Sequence, residues 1–148
     1  MLKDDALKSV PLFRGVNQSA LAVLCRRTEL HHYSGGAIVV SEGDSDDRLY
    51  IVVSGWVRVC MNLGSARETE LATLSDGEFF GEMSILDTLP RSASVQAVTD
   101  SRILSLPALA FWELHDQEPR EYGAVILNLA RDLSRRLRHV DQNIAARS

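Results

Sequence analysis

Phe79-Phe80-Gly81-Glu82-Met83-Ser84-Ile85-Leu86-Asp87-Thr88-Leu89-Pro90-Arg91-Ser92-Ala93-Ser94-Val95 interrupts a succession of short β-type runs. Gly81 lets another group approach the backbone closely. Residues 82–86 can make one helical turn whose free N–H groups face an anion, Pro90 stops that turn, and Arg91 emerges before the next run. A guanidinium matches two phosphate oxygens and stays charged at any cellular pH, and each such charge-assisted bond is worth about 1.5–3 kcal/mol. Glu82 accepts only, which suits a pair of hydroxyl donors. From the residues alone, Glu82 and Arg91 either hold such a ligand or pair with each other across the loop.

Around this stretch the chain reads as β. Seven of its nine glycines fall between positions 35 and 81 and punctuate turns. Between them and beyond lie runs rich in β-branched and aromatic residues at 37–41, 48–54, 56–61, 69–74, 94–98 and 102–106. Short strands at roughly 8–12-residue spacing predict an antiparallel sandwich, jelly roll or barrel. The alternation of Val57, Arg58 and Val59 predicts one wet face.

The flanks read as helix. Asn17 is a good N-cap for a helix over 19–27 with Ala20, Leu21, Val23 and Leu24 on its apolar face. Pro107 opens a short helix over 108–115, and Pro119 suits the first turn of a long one. Along it Tyr122, Val125, Ile126, Leu129, Leu133, Leu137, Val140 and Ile144 form an amphipathic, heptad-like stripe.

Composition narrows the function. The 148 residues are 45% hydrophobic and 24% charged, as in a soluble globular domain, and they carry a net charge of −4. Residues 41–100 hold eleven acidic and four basic side chains, so an anion site there rests on Arg48, Arg58, Arg67 or Arg91. The overall balance argues against nucleic acid, and the arginines at 131, 135, 136 and 138 read as the solvated face of a helix. Cys25 and Cys60 stand 35 residues apart without a framework and read as core thiols. The N-terminus lacks the apolar region of a signal peptide, and no run approaches about 18 apolar residues. A cytoplasmic protein without a membrane span is expected.

Taken together, Phe80-Gly81-Glu82, the nine positions from Glu82 to Arg91, and Pro90-Arg91-Ser92-Ala93 with Val95 resemble the phosphate-binding cassette of the cyclic-nucleotide-binding domain. That module is shared by catabolite activator proteins, protein kinase A regulatory subunits and cyclic-nucleotide-gated channels. The resemblance extends to residues 10–16, to the run from Gly43 to Gly55, and to the helices after Pro107. It implies an α+β fold over 1–148: an antiparallel β-roll, or jelly roll, at about 30–106, an N-terminal helix, a short helix inside the cassette, and two C-terminal helices at about 107–146.

It also implies the ligand and its contacts. Glu82 would hold the ribose 2′-hydroxyl, Arg91 the cyclic phosphate, and the backbone around Gly81, Met83, Ser84, Ser92 and Ala93 would complete the cradle. Ser92 admits adenine or guanine; cAMP is the first expectation and cGMP the second. An ungapped match puts Val140 and Asp141 where activators bring a Thr-Ser pair to adenine, so the base is either capped by Leu137 or Val140 or left without a lid. The implied role is a regulatory sensor, not an enzyme, that passes ligand binding through its C-terminal helix to an effector protein or a covalently linked effector domain. The helix seam either packs on the roll or pairs in a homodimer. The alternative is a regulatory domain excised from a larger channel, transporter, enzyme or transcription regulator.

A cupin metalloenzyme, also a small β-roll, fits poorly. Its ligand positions before Gly55 hold Arg48, Asp44 or Gly43, and Glu42 or Ser41, while His31 and His32 lie too far upstream. No metal or cofactor is expected, and all four histidines are expected at the surface or at element ends. No Ser-His-Asp set can be argued, so no catalytic residue is assigned.

Overall fold

In the computed structural model, residues 3–82 and 89–147 are described, with side chains up to His139. Among the described residues, eight strands form two four-stranded antiparallel sheets. They are β1 (Glu29–Tyr33), β2 (Ile38–Val40), β3 (Arg48–Ser54), β4 (Trp56–Met61), β5 (Thr69–Ser75), β6 (Phe79–Phe80), β7 (Ser94–Ala97) and β8 (Ser101–Pro107). One sheet runs β1-β8-β3-β6 and the other β2-β7-β4-β5. The helices are α1 (Lys3–Ser9), α2 (Gln18–Cys25), α3 (Ala108–Gln117) and α4 (Pro119–Arg147), with a 3-10 turn at Pro11–Phe13. The β-roll with flanking helices is thus as expected; the cassette helix lies outside the described residues.

Period-two geometry explains why β3 reads as an unbroken apolar run. Its side chains alternate between two cores, and both faces are covered. Leu49 and Ile51 join a cluster with Leu104, Leu106 and the helix residues Leu7, Leu24, Phe111, Leu114 and Val125. Tyr50 and Val52 face the other way, into the roll, with Val40, Val57, Leu74, Phe80, Val95 and Ile103. The two residues of β6 divide in the same way, Phe79 toward the helices and Phe80 into the roll. The expected wet face on β4 holds in part, since Val57 and Cys60 are fully buried while Arg58 and Val59 are half-buried. A register shift opposite Val59 and Cys60 leaves Leu71 of β5 without a partner in β4.

Asn17 caps α2 as expected, its side-chain oxygen accepting the Ala20 N–H at 2.9 Å. Three elements go beyond the sequence expectation. Helix α1 is short and charged, and only Ala6 and Leu7 are buried, too few to set a helical period. Strand β1 carries Glu29, His31 and His32, and is a strand because all five of its residues pair with β8. Strand β6 has two residues, and pairs through Tyr50–Phe80 and Ile51–Phe79. The histidine expectation needs correcting at His31, which sits half-buried inside β1 with Nε2 2.9 Å from the Ser105 hydroxyl. Cys60 is a core thiol as read; Cys25 is only half-buried and donates its S–H to Asp4 at 2.7 Å.

Candidate functional site

Arg91 is held by both backbone and side chain. Its N–H donates to the Asp44 carbonyl and its own carbonyl accepts the Gly43 N–H, each at 2.8 Å, which clamps it to the loop before β3. The side chain is 6% exposed. Nη2 donates to the Arg48 carbonyl at 2.6 Å and lies 3.3 Å from Oδ2 of Asp46. Nε is buried without a partner, an exception to the rule that buried polar groups are paired. The guanidinium carbon lies 5.6 Å from the centroid of the Tyr50 ring, which in turn stacks on Phe80 at 5.0 Å.

Asp46 ties this arrangement together. Its Oδ2 also accepts the Tyr50 hydroxyl at 2.6 Å, and its Oδ1 accepts the Arg48 N–H at 3.0 Å. Burial, and then the hydrogen bond to Asp46, push the Tyr50 hydroxyl pKa well above its usual value. The Arg48 guanidinium turns away toward Ser105 and Glu29. Of the four arginines in the acidic middle of the chain, Arg91 is the buried one.

Gly81 makes the site possible. At φ +85°, a Cβ there would fall inside van der Waals contact of Arg91 Nη1 and 2.7 Å from the Arg48 carbonyl oxygen.

A cavity of about 930 Å³ opens in front of these residues. Gly81, Glu82, Arg91, Ser92 and Ala93 line it, and Val40, Val59, Leu71, Leu74 and Val95 add apolar lining. The structure therefore brings together five of the seven cradle residues read from the sequence. Met83 and Ser84 lie outside the described residues. The alternative pairing of Glu82 with Arg91 is not what the structure shows. Arg91 engages Asp46, and Glu82 faces Arg136 of α4, with Oε1 3.9 Å from Nη1.

Sequence reasoning missed what α4 contributes. Arg135, Arg136 and His139 line the cavity, correcting the reading of the arginine cluster as wholly solvated. Arg136 is fixed at several points: Nη2 donates to the Phe79 carbonyl at 2.7 Å, the guanidinium lies 4.3 Å over the Phe79 ring, and Nε pairs with Asp132 at 3.1 Å. The signal was available in the stripe, because Leu129 and Leu133 pack on the core and Arg136 follows Leu133 by three positions on the same face. Leu137, one of the two residues weighed as a lid, is 63% exposed and does not line the cavity. The side chain of Val140 lies outside the described residues. Among the described residues no cluster of three or more His, Cys, Asp or Glu is arranged for a metal ion, and no helix is long and apolar enough to cross a membrane.

The family model for the cyclic nucleotide-binding domain matches residues 30–118, from β1 through the cavity residues to the end of α3. The chain belongs to this family. The CRP-like cAMP-activated global transcriptional regulator of Mycobacterium tuberculosis is 35% identical over 144 residues, 96% of this chain and 62% of that protein. The crystal structure of the Thermus thermophilus catabolite activator protein superposes with a TM-score of 0.73 at 38% identity, covering 91% of this chain and 62% of that one. A cyclic nucleotide-binding domain from Methylobacillus flagellatus superposes at 0.82 with 24% identity over 97% of this chain and 81% of its own, a likeness of fold. The chain thus spans about three fifths of the length of this regulator and of the Thermus thermophilus cyclic AMP receptor protein. It is a cyclic nucleotide-binding regulatory domain similar to theirs in sequence and fold.

Proposed function

We infer that the cavity takes a single cyclic nucleotide, cAMP first and cGMP second, and that the chain reports its presence to another protein or to a linked domain. The observation that carries this reading is the partnerless Nε of Arg91, buried in the lining of a cavity with room for a nucleotide. A cyclic phosphate there would satisfy it with one negative charge, and Glu82 in the same lining would accept from the ribose hydroxyl. The apolar walls suit a purine, and Ser92 leaves both bases open. Regulation, not catalysis, is the role proposed, in keeping with the named relatives, and the cytoplasm is the proposed location.

The output element is α4. Arg136 joins it to Phe79 and Glu82, so a ribose competing for Glu82 changes the helix's hold on the cassette and shifts the population of helix positions. The exposed part of its seam, including Leu137, is then offered to an effector or to a second copy of the chain.

Calorimetric titration with cAMP, cGMP and cyclic di-GMP tests the reading. One of the two mononucleotides binds, and Arg91→Ala weakens it by about 1.5–3 kcal/mol or more. No heat with any of them, or equal affinity in the variant, overturns it.

A further inference from the structure

Beyond the ligand itself, the way Arg91 is held sets which phosphate charge the site accepts. Four carboxylates crowd the loop ahead of β3, and three are occupied elsewhere or turned away. Glu42 accepts the Asn62 N–H, Asp44 accepts the Ser41 N–H, and Asp47 is exposed. Only Asp46, its side chain 22% exposed, reaches Arg91. It does not line the cavity, so a ligand meets its charge through the guanidinium.

We propose that Asp46 is a charge filter, admitting a phosphodiester monoanion and rejecting a phosphomonoester dianion. The inference rests on the nucleotide reading above. The buried pair Arg91–Asp46 is neutral before any ligand arrives, so a monoanion leaves the site with one net negative charge and a dianion with two. Among the described residues no second buried cation is left to meet the second charge, which repels Asp46 at short range. Arg136 also lines the cavity, but Asp132, Glu82 and the Phe79 carbonyl already engage it, and Arg135 and His139 are exposed on α4, where solvent and salt screen them. The hydrolysis product of a cyclic nucleotide is such a dianion, so the filter would let the site respond to the signal without being held by the spent form.

The test uses two acyclic ligands that differ by one charge and one methyl group: 5′-AMP and its methyl ester, each competing with cAMP at pH 8, where a phosphomonoester with a second pKa of about 6 is dianionic. Wild type binds the methyl ester at least about tenfold tighter than 5′-AMP. Asp46→Asn, which keeps one of the two acceptor oxygens and loses the charge, closes that gap, and Asp46→Glu restores it. An unchanged gap in Asp46→Asn, or equal loss of both ligands, overturns the filter and assigns Asp46 to holding Arg91 in place. If Asp46→Asn fails to fold, the wild-type comparison decides alone. Equal binding of the two acyclic ligands, or exclusion of both, means that charge is not what separates them. Failure of cAMP itself to bind wild type overturns the nucleotide reading, a result distinct from any of these.

Discussion

The Gly81 backbone passes so close to Arg91 that a single methyl group at Cα would overlap the guanidinium, and the same methyl would sit 2.7 Å from the Arg48 carbonyl oxygen that Arg91 uses. Position 81 carries two separate requirements, a positive φ and an empty side-chain volume.

Gly81→Ala therefore displaces the cation and strains the backbone together. The left-handed conformation costs a residue with a Cβ about 1–2 kcal/mol. The expected outcome is a fall in thermal stability of that order or more, with loss of measurable cyclic-nucleotide binding. Differential scanning calorimetry and the nucleotide titration read the two effects separately. Full binding in Gly81→Ala would show that Arg91 works from another position.

Arg136→Ala removes the hydrogen bond to the Phe79 carbonyl and the stacking over its ring. These are worth roughly 1 kcal/mol each at a half-exposed position. Amide hydrogen exchange over the last turns of α4 is expected to quicken while exchange over 119–129, anchored by buried Val125, stays slow. Uniform exchange along the helix in the variant would argue against Arg136 as the tether.

Tyr50 links stability to alkaline pH. Its folded-state pKa is raised, by burial first and then by the hydrogen bond to Asp46, so the neutral phenol is favoured in the fold. The stabilisation is complete below the ordinary tyrosine pKa of 10.0 and is lost as pH rises above it, because the unfolded chain ionises first. Thermal midpoints should drop between pH 9 and 11 in wild type. The drop should shrink in Tyr50→Phe, which at neutral pH is destabilised by about 1 kcal/mol through the lost hydrogen bond.

Asn17→Ala removes the acceptor for the Ala20 N–H at the start of α2. A loss of about 1 kcal/mol is expected by denaturant titration, with cyclic-nucleotide affinity unchanged because α2 lies on the helical side of the molecule, away from the cavity. A change in affinity would reveal coupling between α2 and the cassette.

The sequence by itself determined the β-roll, most of its strands, the capped α2, the two closing helices and the cassette with Gly81, Glu82 and Arg91. Those features are local, since glycine spacing, period-two runs, an N-cap and a helical stripe are all written in neighbouring residues. Tertiary structure alone decided the rest. Strand β1 is polar and exists through its pairing with β8, and β6 is too short to show a period. Asp46 meets Arg91 across 45 positions and Arg136 reaches Phe79 across 57; nothing in the acid run marks which member meets Arg91, and the helical stripe marks the face of Arg136 but not its partner. Sequence pattern singled out Arg91, the arginine of the acidic middle that folding buries. Its counter-ion Asp46 and its helical neighbour Arg136 became identifiable only when folding brought together residues far apart in the chain.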